Sequence, residues 1–272
     1  MKDGFKSILF VIFLVFFGSV HATEQDEESN VKFGFLNEKK NLLLNTHGLS
    51  PQQAKQFTNA RCTNAGTIKI AFQRMQKKKA GDIGRDTDNN FDKMSGAVFR
   101  VTEPKKILST KWDNYCFIFH DDFMRKYELL TPKPMGNIPL RQVTLQRIEK
   151  AKNREIDEAW FLAQLDADTG VAMVKFAAQG KNELMSFVLI QKNALYFDDH
   201  PAIAQGGSTW RLDDDGELDP KIINIVFGYK NGADFALGYA WPGTEGQNLF
   251  LVEFYKDKKS KKITEDYFYT LQ

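Results

Sequence analysis

Two short clusters carry the side chains best suited to chemistry: Phe119-His120-Asp121-Asp122-Phe123 and Phe197-Asp198-Asp199-His200-Pro201. Neutral imidazole and carboxylate oxygens are ligands that zinc and manganese accept. Were the strands that carry them neighbours, His120, Asp121, Asp199 and His200 could close on one divalent metal and support metal-assisted hydrolysis. The same residues could serve as a general acid and base, because adjacent carboxylates push each other's pKa values apart. The plainer reading is that Asp and His are ordinary strand-end and turn residues.

Two acidic runs suggest calcium without meeting the template. In Asp213-Asp214-Asp215-Gly216-Glu217-Leu218-Asp219, Arg211 stands where the first loop aspartate of an EF-hand belongs. In Asp86-Thr87-Asp88-Asn89-Asn90, Phe91 replaces the required glycine. Both read as acidic turns. The second half is dense in aromatics, and Trp210, Trp241 and Tyr239 are candidates for a face that stacks on a glycan or anchors a protein partner. Aromatics are also favoured strand residues that fill a core. Lysines 256, 258, 259, 261 and 262 crowd one hairpin tip and discourage edge pairing. The chain has no Gly-x-Ser-x-Gly elbow, His-Glu-x-x-His, P-loop, Cys-x-x-Cys or Gly-x-Gly-x-x-Gly. A divalent metal is therefore the one cofactor worth considering, and none is expected by default.

The elements that must position these residues are mostly strands. Ser50-Pro51-Gln52-Gln53 is a helix start, with serine as cap, proline at the first helical position and Gln53 reaching back. It predicts a short helix from Pro51 to about Ala60. Period-two patterning then predicts strands at 67–72, 97–101 and 115–119. Residues 77–93 read as a solvated loop. Pro132 to Pro139 holds three prolines and a glycine, which cannot sit inside a sheet, and is taken as a connector. Beyond it, strands at 158–165, 171–178, 184–191, 194–197, 221–229, 235–241, 249–255 and 267–271 alternate with turns. Asn231-Gly232 is the best hairpin signal among them. The prediction is a mainly β fold of antiparallel strands in a sandwich, barrel-like or meander architecture. It has one short N-terminal helix and two β-rich halves, 31–131 and 140–272.

Residues 1–22 have the layout of a secretory signal peptide: Lys2 and Lys6, an apolar run from Ile8 to Phe17, and small residues at Val20 and Ala22. Cleavage after Ala22 is expected, followed by a flexible lead-in at 23–30. The apolar run is about half of the roughly 20 residues that a spanning helix needs. Cleavage removes two cations and one anion, which takes the net charge from +2 to +1. A near-neutral chain gives no general electrostatic reason to bind nucleic acid. Cys62 and Cys116 are the only cysteines, and in an exported chain they predict one disulfide. The chain contains no Asn-x-Ser/Thr sequon, which favours a bacterial periplasm or exterior. The expectation is an exported binding protein that acts through its surface on a protein or glycan, an envelope inhibitor being one form. The alternative is the metal-assisted hydrolase.

Overall fold

The computed structural model describes residues 30–63, 66–104, 114–203, 220–243, 245–257 and 260–269. The leader at 1–22, most of the lead-in, Trp210 and the acidic run 213–219 lie outside the described residues.

The fold is mainly β, and among the described residues all strand pairs are antiparallel. The first six strands are β1 (Val31–Leu36), β2 (Leu42–Asn45), β3 (Phe57–Cys62), β4 (Thr67–Gln76), β5 (Gly96–Val101) and β6 (Tyr115–His120). They close into a barrel of order β1-β2-β5-β4-β3-β6. Leu36, Leu43, Ile68, Phe99 and Ile118 fill its interior, together with both cysteines. Cys62 and Cys116 face each other across β3 and β6 and form the expected disulfide, with their Cα atoms 3.9 Å apart. The bridge pins the strand pair that closes the barrel.

The capping box predicted at Ser50 is present: Gln53 N–H donates to Ser50 Oγ, and Ser50 N–H donates to Gln53 Oε1. The helix it starts, α1, spans only Pro51–Ala54. Residues 57–62 become β3 instead, because pairing with both β4 and β6 outweighs extending so short a helix. Two helices not expected from the sequence are α2 (Asp121–Lys126) and α3 (Gln142–Lys152). The loop at 77–93 is not wholly solvated either. Phe91 and Asn90 are buried, and the Phe91 ring packs edge-on against Phe35 on the outside of the barrel.

Two five-stranded sheets stack beside the barrel. The middle sheet consists of β7 (Glu128–Leu130), β13 (Asn224–Asn231), β14 (Asp234–Gly243), β15 (Gly246–Phe254) and β16 (Ser260–Tyr269), in the order β16-β15-β14-β13-β7. Gly232 supplies the positive φ of the β13–β14 hairpin. Alternate residues of the middle sheet face opposite ways. Phe227, Tyr229 and Leu251 pack on Phe33, Phe117 and Phe119 of the barrel's outer wall. Leu237, Tyr239 and Val252 pack on Val171, Phe187 and Tyr196 of the outer sheet. Both faces are thus core, which accounts for the aromatic density of the second half. Gly238 is required here, since a β-carbon would lie 2.1 Å from the Phe227 ring.

The outer sheet has the order β12-β11-β10-β9-β8. Its strands are β8 (Lys133–Pro139), β9 (Ile156–Gln164), β10 (Thr169–Gln179), β11 (Asn182–Gln191) and β12 (Ala194–Ile203). Its far face is covered by α3 through Ile148. The Pro-rich stretch expected to be a connector is strand β8, lying on the sheet edge. There Pro134 and Pro139 need no outward N–H, and the register shifts between Pro134 and Ile138, with Gly136 at φ +64°. The halves inferred from that breaker are joined elsewhere too. Residues 128–130 pair with 228–230, and Arg61 Nε donates to the Val226 carbonyl at 3.2 Å.

Candidate functional site

The structure does not bring the two His/Asp clusters together. His120 is the N-cap of α2: its Nδ1 accepts the Asp122 N–H at 3.1 Å, and its ring meets Phe57 edge-on. Asp121 accepts a hydrogen bond from the Thr58 hydroxyl. Asp121 and Asp122 in the first turn and Arg125 and Lys126 in the last complement the helix dipole. This cluster is the start of a helix on the barrel.

The other cluster lies in β12, which runs on to Ile203 rather than ending at Phe197, so its adjacent residues face opposite ways. Asp199 points to the α3 side, where it accepts from the Ser186 hydroxyl at 2.6 Å and pairs with Lys152. His200 points between the sheets. Its Nε2 lies 3.1 Å from both Asp198 Oδ2 and the Tyr239 hydroxyl, and Tyr239 donates to Asp198 at 2.8 Å. Asp198, not Asp199, is therefore the partner of His200. Among the described residues no group of three His, Cys, Asp or Glu side chains is placed to hold a metal ion.

The aromatic face expected from Tyr239 and Trp241 is corrected as well. Tyr239 is 0% exposed and Trp241 4%. They lie against Phe187 and Phe250 between the two sheets, out of a partner's reach. A further carboxylate, Glu253, accepts from the hydroxyls of Tyr127 and Tyr255, and burial raises the Tyr127 pKa. These polar groups satisfy one another within the stack.

A cleft of about 400 Å³ opens at the end of the outer sheet where α3 begins. Phe161, Gly170 and Ile190 contribute from β9, β10 and β11, and Ile138, Pro139 and Leu140 from the end of β8 and the lead into α3. The glycine is structural, since a β-carbon on residue 170 would come 2.4 Å from the Phe161 ring. Arg141, Asp168 and Lys192 also line the cleft. Lys192 pairs with Asp168 at 3.0 Å, and both side chains are more than half exposed. Arg141 is the N-cap of α3 but makes no side-chain cap bond. Arg147 Nη1 donates to the Lys192 carbonyl and ties the helix to the β11–β12 hairpin. Apolar walls with a few charged groups are the usual make-up of a ligand site, and the volume is at the small end of that class.

The sequence marks none of the cleft residues as a candidate for binding or chemistry. The turns at 166–170 and 192–193 are legible, but that they meet beside α3 follows from strand order. No helix among the described residues is long and apolar enough to cross a membrane. Comparison with family models, with curated proteins and with solved structures gave no match for this chain.

Proposed function

We propose that this is an exported, non-enzymatic binding protein that acts through its surface on a protein or glycan, an envelope inhibitor being one form. The observation that carries the reading is the cleft beside α3, an open apolar concavity with a charged lining on a rigid β stack. Export rests on the leader layout of residues 1–22, and the barrel disulfide is compatible with an oxidising compartment. The metal-assisted reading needs His120, Asp121, Asp199 and His200 to converge, and it draws no support from side chains that point into different layers.

The test is capture by immobilised residues 23–272 from envelope extract, from culture fluid and on a glycan array. Ala167→Trp serves as the blocked control, because Ala167 lines the cleft and is exposed, so a large side chain there fills the mouth without disturbing the core. A protein or glycan retained by the wild type and lost with Ala167→Trp is the expected result. Retention of nothing across several salt concentrations, or retention indifferent to the block, overturns the proposal.

A further inference from the structure

Resting on that reading, we propose that the occupant of the cleft is a peptide segment of a protein partner that carries a carboxylate next to an apolar side chain. The apolar side chain would seat against Phe161, Ile190 and Leu140. The carboxylate would meet Arg141 and Lys192.

Charge is the first ground. Arg141 and Lys192 line the cleft against one carboxylate, Asp168, which is already paired with Lys192. Among the described residues no carboxylate forms an ion pair with Arg141. Its planar guanidinium matches a carboxylate in two parallel hydrogen bonds. An arriving acid therefore meets a net positive lining whose lysine is exposed enough to turn toward it.

The remaining lining separates a peptide from the other candidates. A sugar needs several hydrogen-bonding partners around its ring. Here the one side-chain amide, Gln164, already donates to the carbonyls of Asp166 and Thr169. Most of the other lining is hydrocarbon. A small free acid would engage the charged end and leave the apolar wall of Phe161, Ile190 and Leu140 uncovered. Ile138, at the cleft, is 45% exposed. That side chain carries the apolar lining out toward solvent, where a longer segment would continue past the mouth.

The experiment titrates two probes into the chain starting at residue 23, with chemical-shift changes as readout. They are N-acetyl-Leu-Phe with a free carboxylate and N-acetyl-Leu-Phe-Glu-amide. Each is compared with its neutral counterpart, the C-terminal amide and the Gln peptide. At least one acid should bind about tenfold or more tighter than its neutral form. Arg141→Gln should abolish most of that preference. The substitution is safe for folding because Arg141 is exposed and makes no cap bond.

Equal binding of acid and neutral forms overturns the proposal, as does an acid preference that Arg141→Gln leaves intact. If no probe binds at millimolar concentration while Ala167→Trp still abolishes capture of a partner, the cleft is a binding surface and the carboxylate inference fails alone. If Ala167→Trp changes neither probe binding nor capture, the surface reading fails with it.

Discussion

The Phe161 ring lies across Gly170, so that Cε2 would be 2.4 Å from a β-carbon on residue 170. The pair sits diagonally on β9 and β10, since Ala172 is the residue that faces Phe161 in register. Gly170→Ala must drive the ring off the strand and into the space of the cleft. Overpacking of this kind costs about 1–3 kcal/mol. Urea unfolding should show a loss in that range, and Gly170→Ala/Phe161→Leu should recover most of it. A single variant as stable as the wild type would mean that the ring is not held there.

The Cys62–Cys116 bridge spans a sequence separation of 54 and lies inside the barrel on the pair β3–β6. In the chain-entropy model a loop of this length gives about 4 kcal/mol. Replacing both cysteines with serine should lower the unfolding free energy by roughly that amount, and by more if the buried hydroxyls find no partner. Denaturant titration of the oxidised protein and the double variant measures the difference. A loss below about 1 kcal/mol would show that the barrel closes without help from the bridge.

Stability should fall as pH rises from about 4 through 6, and fall further above 6.5, because of a contact between the barrel side and the last strand of the middle sheet. His47 Nε2 lies 2.6 Å from Asp266 Oδ2, and the hydrogen bond to that carboxylate raises the His47 pKa. Asp86 exchanges two bonds with Tyr269: its N–H donates to the Tyr269 carbonyl, and its carboxylate accepts the Tyr269 N–H. Burial pushes the Asp86 carboxyl up to about 6, and the charge of Asp266 adds to the shift. Both groups hold a proton more tightly folded than unfolded. Their stabilising effect is full at low pH. Asp86 loses its share as pH climbs from its unfolded value through 6, and His47 loses its share above 6.5. Unfolding midpoints across this range should decline more steeply for the wild type than for Asp86→Asn/His47→Gln. Parallel curves would place the pH dependence elsewhere.

Local signals carried over into the structure where the physics is local. Ser50, Pro51 and Gln53 form their capping box within four residues, and Gly232 turns its hairpin on its own φ. The disulfide was legible by elimination, since two cysteines allow one bridge. What was not legible depends on contacts distant in sequence. The capping box predicts helix as far as about Ala60, but partners on both sides draw residues 57–60 into β3 of the barrel. Helix α3 buries only Thr144 and Ile148, too faint an apolar stripe to read. Asp199 and His200 read as one site in a sequence whose strand pattern ends at Phe197. Carried six residues further, the pleat sends them to opposite faces. The cleft joins β8, α3 and two hairpin tips through a strand order that no single segment encodes.

That separation of the histidines gives a quantitative test of the metal reading. His120→Ala removes the N-cap bond of α2, a loss of about 0.5–2 kcal/mol. His200→Ala leaves the buried Asp198 carboxylate with Tyr239 alone among the partners seen here, at a cost of about 1–3 kcal/mol. The two side chains belong to different sheets, so the double variant should lose the sum of the single losses to within about 0.5 kcal/mol. Two ligands of one ion would behave differently. The first substitution would already release the metal, and the second would then cost almost nothing. Denaturant unfolding of the four proteins, together with the zinc and manganese content of each, decides between these patterns. A double variant no less stable than the worse single one, with metal lost from both singles, would require the histidines to meet in a conformation other than this one.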